Sequence, residues 1–402
     1  MRTCVRTVLL FAVWVAVATA QTTVDKHLAT KPGDVIEIDN RAGLTKVEGW
    51  DRDEVHVTGK LGKDVVRIDL ERFGNRVLAK VVCPPNKTQR GGFLWLGRYT
   101  VRQDVASYLH VRVPAGSPVQ VQSSSANVEA SKMTESLDAQ TSSGDVTVNA
   151  DLATLRIKGS SGNMKVEGHV PLLSVATISG DITFDGSSEE ATLETSSGDI
   201  RIGGDSGRIE AGTVSGDIRA SGSAEEVDVS ATSGDIEVRT RCDVLKARAS
   251  SGSIAAEGVQ REARARSVSG NVIVSAGNLK YGEFKTVSGT VRFKGDIARG
   301  GSLDMATTSG DVRVNGRMGE AAMVGIASTS GDVGLTLTEP VDAVFSFETS
   351  SGDLNVGLDI RGGLQTDGRR KTFSVGTGSG RVNVRTSSGD MRVYGAGTRT
   401  TP

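Results

Sequence analysis

"TSSGDI" fills residues 195–200 and "TVSGDI" fills residues 213–218, and the regular step from one to the other decides how this chain folds. Glycine preceded by serine falls at 144, 162, 180, 198, 216, 234, 252 and 270, all equally spaced. The spacing then loosens, to 19 at Gly289, 21 at Gly310, Gly331 and Gly352, 28 at Gly380 and 9 at Gly389. A fixed period of this short length marks a solenoid, because so small a unit cannot bury its own apolar face and must stack on its copies.

Aligned on that glycine, the residue two places later is aliphatic or Met in all fourteen copies, from Val146 through Ile200, Ile218 and Ile236 to Val382 and Met391. The residue four places later is apolar throughout, as at Val148, Phe184, Ile202 and Val393. Alternation with a period of two is the signature of a strand with one face buried. A second such run lies seven and five residues before the glycine, as in Leu155 and Ile157, Val227 and Val229, or Phe345 and Phe347. The pattern predicts an all-β, single-chain parallel β-solenoid with two short strands per coil of about 18 residues, its crossovers right-handed by default. About fourteen coils spaced by about 4.8 Å would make a rod on the order of 65 Å long. Glycine is expected at each corner because it tolerates positive φ, with Ser and Asp side chains bonding nearby amides.

Composition agrees, with 50 glycines among 402 residues and only 4% aromatics. The opening MRTCVRTVLLFAVWVAVATA places Arg2 and Arg6 before an apolar run that ends at the small residues Ala18-Thr19-Ala20, as in a secretory signal peptide over 1–20. Without it the chain holds 45 basic and 48 acidic residues, a net charge of −3, which argues against nucleic acid as a partner. No integral membrane segment is expected in the mature chain. Cys83 and Cys242 are too far apart in sequence to form a disulfide framework and have no metal-ligand spacing around them.

The expected organisation after the leader is an N-terminal β region over 21–118, solenoid repeats over 119–397 and a tail over 398–402. The first coil starts near residue 33, where Ile36 and Ile38 precede Gly43. An insertion over 61–114 breaks the register and holds "CPPNKTQRGGFLWLGRY", residues 83–99, the one aromatic-rich stretch. Phe93, Trp95 and Tyr99 could fold over the open core end as a cap or stand out as a contact loop.

Taken with "IEIDNRAGLTKVEGWDRDEVHV" at 36–57 and "LHVRVPAGSPVQVQSSSANVEA" at 109–130, the many SGD corners resemble the bacterial "putative adhesin" family of β-strand repeat proteins, also called DUF4097. The resemblance spans nearly the whole mature chain and implies the repeat architecture. It supplies no catalytic motif.

Chemistry is sparse. Nine corners place Asp after the glycine, and stacked carboxylates such as Asp199, Asp217 and Asp235 are candidates for weak cation binding, with calcium as the ion. The column is interrupted at Asn163, Ser253, Asn271, Thr290 and Arg381, and Arg201, Arg219, Arg313 and Arg392 sit where they could neutralise it. His27, His56, His110 and His169 are scattered in sequence and read as structural or solvated. Extra residues in later coils (294–302, 315–323, 336–343, 357–371) fall between the two runs, so longer loops should gather along one edge, as a binding face or as tolerated drift.

The leading expectation is an exported, non-catalytic solenoid presenting a repetitive surface to glycans, envelope components or other cells, in the periplasm, at the cell surface or outside it. The alternatives are a polysaccharide lyase or hydrolase and an envelope-stress signalling accessory. Oligomeric state is left open.

Overall fold

The computed structural model describes residues 22–85, 88–90, 98–100 and 103–396. The expected leader over 1–20, Phe93 and Trp95, and the tail over 398–402 lie outside the described residues, as does the side chain of Tyr99.

The central coils stack in strict register. Ile200 pairs in parallel with Ile218 and Ile218 with Ile236, each partner one repeat on. All three side chains are buried. The strands Ile182–Ser197, Ile200–Ser215, Ile218–Ser233 and Ile236–Ser251 each run 16 residues, broken only at the Gly-Asp corner. The two runs legible in the sequence are therefore straight segments of one ladder that carries on through a second bend. Along Ile200–Ser215, Ile200 and Ile202 point inward on the first segment and Ile209 and Ala211 on the second. The coils stack in about 12 turns.

Two corner glycines show why the column holds glycine from Gly144 onward, Ala126 occupying the corner one layer earlier. A Cβ on Gly198 would lie 2.1 Å from the carbonyl oxygen of Gly180, and one on Gly216 would lie 2.0 Å from that of Gly198. Gly216 also has φ of 151°, whereas Gly198 is not in the left-handed region. Positive φ is thus a property of some corners, and close approach of consecutive layers is the constraint they share. Three residues before the glycine, a buried hydroxyl closes the inside of the corner: Thr195 Oγ1 donates to Gly180 O at 3.1 Å and Thr213 Oγ1 to Gly198 O at 3.2 Å.

The two ends depart from sequence order. Strand Val35–Trp50, the earliest coil, is sandwiched between Val119–Ser131 on one side and Arg76–Val82 with Ser107–Pro114 on the other, all in parallel. The insertion expected over 61–114 therefore furnishes an outer layer of the rod. That layer is closed by antiparallel strands, Arg67–Phe73 on Arg76–Val82 and Glu54–Lys60 on Ser107–Pro114, with Thr23–Ala29 on Glu54–Lys60.

At the other end Gly380–Ser388 lies between Met323–Ser330 and Ala343–Ser351, parallel to both. The last coil in sequence is thus intercalated one layer inside the coil that precedes it. This corrects the reading of Gly380 as a corner: Val382 pairs with Val324 and Phe345, in the second run of the coil whose corner is Gly389. The insertion at 357–371 is also no simple edge loop. It forms strand Arg361–Asp367 and leads into Arg370–Val375, which lies antiparallel on Ala343–Ser351 and stacks Phe373 on Phe345 with centroids 4.7 Å apart. The apolar column must end against something, and Phe373 is what it ends against.

Cys83 and Cys242 are both free. Burial pushes the Cys242 thiol up to about 12, so it behaves as a small core residue. No helix among the described residues is long and apolar enough to cross a membrane.

Candidate functional site

The corner carboxylates form an interlayer ladder. Asp199 Oδ1 accepts the backbone N–H of Asp217 at 3.0 Å, Asp217 Oδ1 that of Asp235 at 2.9 Å, and Asp235 Oδ1 that of Ser253 at 2.8 Å. The outer oxygens of Asp199 and Asp217 accept from Arg201 and Arg219, each at 2.8 Å. The interruptions serve the same end, since Asn163 Oδ1 accepts from Asp181 N at 3.0 Å and Asn271 Oδ1 from Thr290 N at 2.9 Å. What the position requires is a short side chain with an oxygen, charged or not. The three aspartates singled out for calcium therefore hold one layer to the next, and the arginines two residues on neutralise two of them.

Thr290 is where this arrangement lapses, and a groove opens there. Arg292 lies two residues past Thr290, where Arg201 lies past Asp199, but without an acid beside it. Parallel pairing builds a row of Arg292, Arg313, Gly334 and Arg392 and, beside it, a row of Lys294, Asn315, Thr336 and Tyr394. Gly334 leaves a gap between two arginines, and these residues line a cavity of about 360 Å³. Arg313 pairs with Asp311 at 2.9 Å, and Arg392 with Asp332 at 3.3 Å and Asp390 at 3.4 Å. Among the described residues no carboxylate lies within ion-pair distance of Arg292 or Lys294, so the groove carries uncompensated positive charge beside the Tyr394 ring.

A wider cavity of about 570 Å³ lies on the second run of the same layers, around Gly325, lined by Asp304, Glu348, Asn383, Arg370 and Arg385. Here the charges cancel within the wall, as Glu348 pairs with Arg370 at 3.3 Å and with Arg385 at 3.7 Å. Of the longer insertions, 294–302 and 315–323 do stack, through the Ile297 to Met318 bridge, while 357–371 continues into the cap.

The histidines are less scattered than their sequence positions suggest. His27 and His56 face each other across an antiparallel pair, rings stacked with centroids 3.9 Å apart, and both Nε2 atoms reach Asp25 Oδ1. The His56 hydrogen bond holds the Asp25 carboxyl below its ordinary value. On the neighbouring strands His110 Nε2 lies 2.8 Å from Glu48, which Lys132 first and His110 second hold below the usual carboxylate range. His169 stands apart, on Ser187 at 2.7 Å. The signal for the first pair was only the alternation in Asp25-Lys26-His27; His56 joins it through tertiary pairing.

A family model described as Toastrack DUF4097 matches residues 86–254 and again 222–394. Among solved structures the chain is similar to a protein named "putative adhesin" from Parabacteroides distasonis, at 16% identity over 77% of this chain and 98% of that one, TM-score 0.31. A "putative adhesin" from Parabacteroides merdae gives 14% identity over 77% and 95%, TM-score 0.30. A "putative cell adhesion protein" from Clostridium sporogenes gives 8% over 93% and 100%, TM-score 0.17. Likenesses this distant carry no functional information. No curated protein matches.

Proposed function

For a chain that belongs to the Toastrack DUF4097 family, with its polar corners consumed by interlayer bonds, we propose an exported, non-catalytic role: binding an acidic, repeating polymer of the cell envelope along the outside of the rod. The observation that carries this reading is the groove around Gly334, where Arg292 and Lys294 lack acidic partners and Tyr394 offers an aromatic edge. Arginine pairs with carboxylate or phosphate oxygens through two parallel N–H bonds, and an aromatic ring supports the apolar face of a sugar. Single contacts of this kind are weak in water and screened by salt, so affinity would come from a polymer that engages several layers together. The acids in the groove wall support a non-catalytic reading, because Asp332 and Asp390 each accept an amide from the next layer and pair with Arg392. The leader pattern supports export to the periplasm, the cell surface or the exterior.

The test is a glycan array with the mature chain, comparing uronate-rich or phosphate-rich polymers with neutral ones at low and high salt. Acidic polymers should bind preferentially, and the double variant R292E/K294E should lose about tenfold in affinity, equivalent to about 1.4 kcal/mol. Equal binding of neutral polymers, or an unaffected double variant, would sink the reading.

A further inference from the structure

The far end of the rod brings together a second set of groups. Strands Thr23–Ala29 and Glu54–Lys60 run antiparallel with His27 directly opposite His56, and Asp25, two residues from His27, projects from the same face. Among the described residues this is the one group of three or more His, Cys, Asp or Glu side chains whose donor atoms all lie within 4.8 Å of one another. We propose that Asp25, His27 and His56 bind a divalent transition-metal ion such as Zn²⁺, through Asp25 Oδ1 and the two Nε2 atoms.

The spacing fits. Bonds of about 2.0–2.1 Å at a tetrahedral angle set neighbouring ligand atoms about 3.3 Å apart. Asp25 Oδ1 lies 3.2 Å from His27 Nε2 and 2.9 Å from His56 Nε2. The parallel rings need only tilt apart for both lone pairs to aim at one point, and His27 and Asp25 have room to do so, being 53% and 72% exposed.

The surroundings favour a defined site. His56 is only 15% exposed, held between the His27 ring and the indole of Trp50, whose centroid is 5.9 Å away. Glu54 Oε2 stands 3.8 Å from the other ring nitrogen of His27, where an outer carboxylate orients a metal-bound imidazole and raises its basicity. Two imidazoles and one carboxylate select Zn²⁺, Co²⁺, Ni²⁺ or Cu²⁺ over calcium, which prefers an all-oxygen shell. Three protein ligands also leave a coordination position open to water or to a donor on a partner.

Calorimetric titration of the tag-free full chain with Zn²⁺ tests this, alongside visible absorption with Co²⁺, whose intensity reports tetrahedral geometry. One ion per chain is expected, with D25N, H27Q and H56Q each weakening binding at least tenfold and H169Q leaving it unchanged. Asp25 and His27 are surface residues, so D25N and H27Q should retain the wild-type circular dichroism and keep the test valid if H56Q folds poorly. The proposal is overturned if the wild type takes up no Zn²⁺ at millimolar concentration, or if H27Q with D25N binds it as tightly as the wild type. R292E/K294E should bind Zn²⁺ normally, which separates this site from the groove at the other end.

Discussion

Between Ile182 and Ser251 every layer rests on its sequence neighbour, and the aspartate at each corner accepts the backbone N–H of its counterpart in the adjoining layer. At the two ends, layers rest on segments distant in sequence, and there the stacked histidines and the aromatic cap collect. The contrast has a physical cause. In the regular stretch each polar group meets a copy of itself one layer on, so the same short oxygen acceptor solves the same problem repeatedly. Where the copy is missing, as at Thr290, Arg292 two residues on is left without its acidic partner and becomes available for something else.

The sharpest way to break the comparison is at the corners. Gly216→Ala puts a Cβ about 2.0 Å from a backbone oxygen that cannot move without shifting the layer below. It should cost more than about 4 kcal/mol in denaturant unfolding. Gly116→Ala, in an exposed turn with nothing within 4 Å of the added atom, should change stability by less than about 0.5 kcal/mol. Similar losses at the two positions would refute the close-approach account.

Phe373→Ala removes the ring that stacks on Phe345 and should cost about 3 kcal/mol, the lower part of the range for a buried phenylalanine. The loss should be local. Hydrogen exchange ought to rise in Ala343–Ser351 and leave Ile200–Ser215 protected; uniform loosening would mean the rod unfolds as one unit and the cap has no separate role.

The smallest effect concerns how the last coil is held in place. Asp342 accepts from Thr377 Oγ1 at 2.8 Å and from the Gly378 amide at 2.6 Å, which lowers its carboxyl to about 2. A carboxyl lowered on folding contributes stability above its unfolded value near 4, and that contribution is lost as pH falls through about 2. Proteolytic nicking of the turn over 376–379 should therefore increase between about pH 4 and pH 2, and D342N should show the same nicking at neutral pH. A pH-independent turn would show that Asp342 does not tie it.

The apolar columns were legible because alternation is local: Ile200 and Ile202 point inward whatever lies above them. The hydroxyl at Thr195 and Thr213 recurs less strictly, giving way to Gly159, Ala231 and Ala249, and Thr in a polar corner looks solvated until the layer beneath is in place. Gly380 misled because Ser379-Gly380 copies the corner's chemistry without its position, and only the pairing of Val382 with Val324 exposes the difference. The groove at Gly334 was not legible at all. Its wall needs Arg392, from a distant part of the chain, and that neighbour exists because the last coil inserts out of order.

From the sequence alone came the all-β class, the coil length, the inward columns and the glycine at each bend, because a period-two apolar pattern and a steric limit at one residue act within a single coil. Tertiary structure decided the order of layers at both ends, the capping strands, the groove and the meeting of His27 with His56. Parallel layers sharing one alternation can stack in more than one order with the same register, so local pattern is silent there and closing the ends of the core makes the choice.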